Sequence, residues 1–156
     1  MLTNNFYKML LGVCLRGRAD GLTLPNGASG YSKNFPTPSP ADGDRVEFGD
    51  GDTPPTLNDY KLSGNTITGC TVSFTKTVDN QDENGFTVTA IHTITNGNSS
   101  EITIREVGRY SHAQYASGSY GNYLIDRTVL DTPVTIPAGG IGQVEYTITF
   151  KYPWAT

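Results

Sequence analysis

The sequence predicts an all-β protein: an antiparallel β-sandwich, Ig-like or jelly-roll-like, carrying a short N-terminal helix and an extended N-terminal arm. Three observations predict it. From residue 66 onward, apolar and polar residues alternate with a period of two, the pattern of strands buried on one face. The chain holds 21 Thr and 9 Tyr, residue types that fit a pleated, half-buried surface. Finally, 18 Gly and 9 Pro punctuate the runs while charged residues make only 17% of the chain. Helical bundles and coiled coils are built instead from Ala, Glu, Lys, Leu and Arg.

Each element follows from local pattern. Residues 3–16 read as an amphipathic helix: Thr3 or Asn4 can cap it, Phe6, Met9, Leu10 and Val13 recur at helical spacing, and Gly17 stops it. Residues 17–44 are loop chemistry, with Pro36, Pro38 and Pro40 at alternate positions that cannot join a sheet ladder. Such a long stretch without periodicity is expected to be functional, ordered by lying on other chains. Residues 45–48 (RVEF) make a short strand. The run Gly49-Asp-Gly-Asp-Thr-Pro-Pro55 reads as a turn leading into a docking segment around Tyr60 and Leu62.

The period-two region then supplies six or seven strands. Cys70, Val72, Phe74 and Val78 are expected on one face. Phe86, Val88, Ala90, His92 and Ile94 share the inward face of the next strand, with Thr87, Thr89, Thr93 and Thr95 outward. NGNSS (96–100) turns into a strand with Ile102 and Ile104 inward. Separate strands are expected at 123–130 and 133–136. PAGG (137–140) then turns into a last strand with Val144, Tyr146, Ile148 and Phe150 on one face. The expected organisation is a helix and arm over 1–60 and a sandwich over 61–156.

Charge and composition narrow the function. The net charge is −4 and no basic stripe is present, so no direct contact with nucleic acid is expected. No apolar run approaches the length of a membrane span. The N-terminal run lacks the basic lead and cleavage site of an export signal. Cys14 and Cys70 are too few for a disulfide framework, although a 14–70 bridge stays open. No nucleophile–base pair, phosphate loop or dinucleotide fingerprint occurs, so no enzyme activity and no cofactor are expected.

The remaining candidates each have a plain reading. His92 reads as a core or interface residue, and His112 has no metal-ligand spacing around it. Asp42, Asp44, Asp50 and Asp52 lack the spacing of a calcium loop and are explained by Asx-turns. Arg105, Glu106, Asp126 and Arg127 lie on strands that flank one loop, where opposite charges can pair across a ladder. That loop, 110–123, mounts four tyrosines on a Gly/Ser spine. Such composition suits a protein contact or a sugar ring. Tyr115 and Tyr120 are the candidate contact residues there. A carbohydrate-binding module using this loop and Trp154 is the reading from another class.

Three segments resemble accessory structural proteins of tailed bacteriophages. The first is TNNFYKMLLG (3–12). The second is Gly49-Asp-Gly-Asp-Thr-Pro-Pro55 followed by Asp59-Tyr60-x-Leu62. The third is TITNGNSSEITIREVGRY (93–110) followed by YLIDRTVLDTPVTIPAGGIGQVEYTITF (123–150), with a Glu-Val-Gly strand, a Leu-x-Asp-Arg strand and an Ile-Pro-Ala-Gly turn. This chain has Arg109 where those proteins carry an apolar residue after Glu-Val-Gly. The resemblance implies a non-enzymatic virion protein, assembled in the host cytoplasm. Head, neck and tail components share such sandwiches, and a small acidic domain with an extended arm suits a capsid decoration or cement protein that binds the major capsid protein and copies of itself. A neck, tail or fibre-base component is the alternative. The helix and arm would make the contacts, through Phe6, Tyr7, Leu10, Tyr31 and Phe35.

Overall fold

The structure, a computed structural model, describes residues 1–8, 19–32, 45–81, 85–115 and 119–151. It is all-β, with one short helix among the described residues, α1 (4–8). The strands are β1 (Ala19–Thr23), β2 (Ser29–Ser32), β3 (Arg45–Gly49), β4 (Cys70–Gln81), β5 (Gly85–Asn96), β6 (Ile102–Tyr115), β7 (Ser119–Ile136) and β8 (Ile141–Lys151). They form a β1–β2 hairpin and two three-stranded sheets, ordered β3-β6-β7 and β4-β5-β8. Two compact units result: Met1–Thr68 with Thr103–Thr135, and Gly69–Ile102 with Ile136–Thr156. The expected boundary near residue 60 divides the sequence once, whereas these units interleave along it.

In the first unit, residues 17–44 are not solely loop. Leu22 and Leu24 lead into a Pro25-Asn26-Gly27 turn, and Gly27 takes the positive φ that such a turn requires. The turn folds β1 onto β2 and delivers both leucines to a buried cluster with Tyr123 and Ile125. The expectation that this stretch is loop is therefore corrected at β1 and β2, whose hairpin supplies Leu22 and Leu24 to the core. Phe6 packs on the same cluster. The Asn5 carboxamide makes a double hydrogen bond with the Thr23 backbone, 2.8 Å in each direction. Thr3 is anchored to β7 by its N–H to Ile125 O at 2.9 Å and its hydroxyl to Leu124 O at 2.6 Å. Continuation of the helix to residue 16 falls outside the described residues.

Two further expectations change. The strands expected at 123–130 and 133–136 are one strand, β7, which runs through Pro133. A strand tolerates a proline where its N–H needs no partner, and β7 is a sheet edge. The expected tyrosine loop is also strand: β6 continues to Tyr115 and β7 begins at Ser119. Tyr110 and Tyr123 are core residues.

In the second unit, β4 pairs β5 and β5 pairs β8, all antiparallel. Threonine hydroxyls pair across the strands, Thr75–Thr93 at 3.0 Å, Thr89–Thr147 at 2.9 Å and Thr87–Thr149 at 3.1 Å, with buried Ile91 interrupting the threonine register of β5. A bulge between Phe74 and Lys76 inserts one extra residue into β4. Because the side-chain period is two, that insertion reverses the pleat. Val78 consequently sits opposite Thr89, in the threonine register, and not with Val72 and Phe74. Val72 and Phe74 keep more than a third of their surface exposed, at 37% and 39%.

Asn96 ties the two turns of this unit together. It is fully buried, and its amide nitrogen donates to the carbonyls of Ser100, Ile136 and Pro137 at 2.9–3.1 Å. Its carbonyl oxygen accepts from the backbone and side chain of Asn98, both at 3.0 Å. Replacing Asn96 with alanine leaves buried carbonyls unpaired, and is expected to cost about 2 kcal/mol. Amide exchange at Asn98 and Gly139 should accelerate in step; unchanged protection at both would contradict this role.

Candidate functional site

The one cluster of buried charge among the described residues lies in the first unit. Its strands supply two members. Glu106 stands on β6 in the inward register of Ile104 and Tyr110, and Arg127 stands on β7 in that of Tyr123 and Ile125. Both side chains are buried, with Glu106 at 0% and Arg127 at 1% exposure. Neither could be buried unpaired, because an isolated ionised group loses far more hydration than packing returns. Arg127 Nε donates to Glu106 Oε2 at 2.7 Å.

Loop 50–65 supplies the remaining partners. Its ends close on β3: Asp50 N–H donates to Asn65 O at 3.3 Å, and Ile67 N–H to Phe48 O at 2.8 Å. Loops with touching ends and their own internal packing are compact and rigid for their length. Arg127 reaches into it with its other nitrogens: Nη1 donates to Asp59 Oδ2 at 2.7 Å, and Nη2 to Thr53 O at 2.6 Å and Ser63 Oγ at 2.5 Å. Glu106 accepts the backbone N–H groups of Gly51 at 3.2 Å, Ser63 at 3.1 Å and Gly64 at 2.8 Å, plus the Ser63 hydroxyl at 3.1 Å. Asp59 also accepts the N–H and hydroxyl of Thr56, at 2.9 and 2.7 Å. The planar guanidinium fork suits this task, since one side chain satisfies four acceptors in fixed directions.

Glycines make room for the carboxylate and for the plug beneath it. A Cβ on Gly51 would collide with Ser63 Oγ and Glu106 Oε1. A Cβ on Gly108 would lie 2.7 Å from Leu62 Cδ2, and Leu62 is the buried apolar residue that seats the loop.

The electrostatics follow from these contacts. Burial pushes the Glu106 carboxyl up, but the N–H groups of Gly64 and Ser63 and the Arg127 guanidinium outweigh it and hold it below the ordinary range. At Asp59 burial likewise raises the value, and Thr56 and Arg127 more than reverse it. Burial alone would lower Arg127, yet its bonds to Asp59 and Glu106 raise it. A carboxylate held ionised by five donors is a poor proton carrier near neutral pH. The cluster is fitted to clamp a loop onto a sheet.

The other predicted residues are distributed as follows. Asp50 accepts the Asn65 N–H and side-chain amide at 2.6 and 3.1 Å, a turn-holding role that lowers its carboxyl. Asp42 and Asp44 lie outside the described residues. Among described residues, no group of three or more His, Cys, Asp or Glu is arranged to hold a metal ion. No helix among them is long and apolar enough to cross a membrane. His92 is buried, edge-on to Phe74 with ring centres 5.5 Å apart. Phe6 is used inside the chain, whereas Tyr7 is 43% exposed. Leu10 and Phe35 lie outside the described residues, as do Cys14, Trp154 and the side chains of Tyr31, His112, Tyr115 and Tyr120.

The cross-strand pairing of charges is right in kind for Glu106 and Arg127, but the alternation alone does not reveal Asp59 as their third member. The usable signal is a charged residue standing at an inward position of each strand. Comparison with protein-family models, curated proteins and solved structures finds no match.

Proposed function

We propose that this chain is a non-enzymatic structural protein of a tailed-phage virion, a capsid decoration or cement protein that binds the assembled head. The observation that carries the reading is the Glu106–Arg127–Asp59 cluster, whose charges are all spent on bracing loop 50–65. Its members are the residues on which the resemblance rests: Gly49 to Leu62, Glu106-Val107-Gly108 and Leu124-x-Asp126-Arg127. Residues spent on rigidity suit a protein that works by presenting a fixed surface. Tyr7 and Leu57 are exposed on this body at 43% and 46%, and Asn4 of the helix donates to Leu57 O at 2.8 Å. They are the contacts this reading favours for the major capsid protein. A partner that binds only the assembled shell stabilises it by mass action.

The test is to locate the chain in purified particles of the phage that encodes it, by mass spectrometry for copy number and by reconstruction for position. Many copies on the head surface are the expected outcome. Six or twelve copies in a ring would move the protein to the neck or tail. Absence from the purified particle would overturn the reading.

A further inference from the structure

We propose that Asn96-Gly97 is a self-modification site that the fold keeps latent: the asparagine is inert while the second unit is closed, and opening exposes it to cyclisation into an imide whose acidic product cannot close the unit again. Asparagine is a thermolabile residue, and its weak point is attack by the next backbone nitrogen on its own side chain. Glycine in that next position favours the attack, because it has no side chain to hinder the approach. The chain holds three Asn-Gly pairs, at 26–27, 84–85 and 96–97. At 96–97 packing imposes both residues. A Cβ on Gly97 would stand 2.7 Å from Gly69 O, a backbone atom that cannot swing aside. Asn96 must both donate and accept, since its amide nitrogen serves three carbonyls and its oxygen takes the backbone and side-chain N–H groups of Asn98.

The reaction needs no partner but water. Gly97 N bonds to Asn96 Cγ, the Cγ–Nδ2 bond breaks, and ammonia leaves with the proton that Gly97 N gives up. Water then opens the imide at either carbonyl, giving aspartate or the isoaspartate whose main chain runs through the former side chain. The closed unit blocks each part of this. Gly97 N–H donates to Gly69 O at 3.0 Å, Asn96 N–H donates to Gly140 O at 2.9 Å, and Asn96 O accepts from Gly139 N–H at 3.0 Å. Neither the attacking nitrogen nor the Asn96 backbone is therefore free to turn toward Cγ. The leaving amide is fully buried, away from the water that must carry protons. All of these residues belong to the second unit. The product does not fit the place it came from. Aspartate sets a carboxylate oxygen against the carbonyls of Ser100, Ile136 and Pro137, acceptor against acceptor in a buried site. Isoaspartate lengthens the backbone between the bonds that Asn96 makes to Gly139 and Gly140. The working life of the unit is then set by how often it opens.

The test follows amide-to-acid conversion at position 96 by peptide mapping of the full chain, held at mildly alkaline pH either folded in buffer or unfolded in guanidinium chloride. Conversion is expected to be at least about tenfold slower in the folded chain, because it waits on opening of the unit. A smaller difference overturns the protection. In guanidinium chloride, where folding plays no part, Gly97→Ala should slow conversion at 96 about tenfold. Equal rates for the two chains would mean direct hydrolysis without the imide, and would overturn the route. The third arm is Asn96→Asp, the aspartate product made directly. Its Gly97 and Gly139 amides are expected to lose their protection from exchange, and protection equal to that of the unmodified chain would show that the product closes the unit and overturn the proposal. The first two arms need no variant to fold.

Discussion

Replacing Arg127 with methionine is expected to destabilise the first compact unit by about 3–5 kcal/mol, the range for removing one partner of a buried ion pair. Thermal unfolding followed by circular dichroism should show a fall of about 10 °C or more. The loss has an identifiable source. Glu106 and Asp59 keep their charge and burial but lose the guanidinium, and Thr53 O and Ser63 Oγ lose a donor. Arg127→Lys keeps the charge without the fork and should fall between the two, at about 1–3 kcal/mol. Many buried ion pairs can be exchanged for apolar residues at little cost. This one should resist the exchange, because Glu106 also accepts three backbone N–H groups of loop 50–65. The double variant Glu106→Leu with Arg127→Met should therefore remain destabilised. An Arg127→Met protein within about 1 kcal/mol of the unmodified chain would refute the clamp.

Acid should release the same loop. The Glu106 and Asp59 carboxyls are both held below their ordinary values in the folded chain. A carboxylate with a depressed folded value binds fewer protons folded than unfolded over the interval between the two values. Its contribution to stability is thus fully present above the unfolded value, about 4, and is lost as pH falls through the folded value. Amide exchange of Gly51, Ser63 and Gly64 is expected to stay slow at pH 6–7, and protection should fall progressively below about pH 4. In Arg127→Met the onset should move to higher pH, since burial still raises Glu106 while the guanidinium no longer offsets it. Protection of these three amides that is independent of pH down to about 2 would show that the carboxylates do not hold the loop.

The legible part of this protein is the part governed by period. Alternation places Ile104, Ala90, His92 and Ile94 inward and the threonines of β5 and β8 outward, and each half of that pattern reflects one residue's position on a pleat. Where one residue is inserted, the same logic fails downstream, as at Val78 beyond the β4 bulge. Nothing in the composition of Phe74-Thr75-Lys76 announces the insertion. The β1–β2 hairpin was legible in principle from Leu24-Pro-Asn-Gly27, but Gly and Pro also mark structureless chain, and one short hairpin buries too little surface to show as a periodic run. Pro133 misleads in the opposite direction. Proline reads as a strand break until the strand is known to be an edge.

The candidate site divides in the same way. Charged residues at inward positions of two strands are visible in the chain, and the second and third of the segments singled out in the sequence already contain Gly51, Asp59, Leu62, Glu106, Gly108 and Arg127. What they do together depends on a loop closing across about forty residues of intervening chain, and long-range closure leaves no local signature. The inward face of β5 and the turn at 137–140 were thus determined by the sequence itself, because they arise from contacts within a few residues, whereas the β1–β2 hairpin, the β4 bulge and the unbroken β7 were not. The union of Glu106, Arg127 and Asp59 was decided only by the tertiary structure. Burying a charge is affordable only where every partner arrives at once, and those partners come from three separate stretches of the chain.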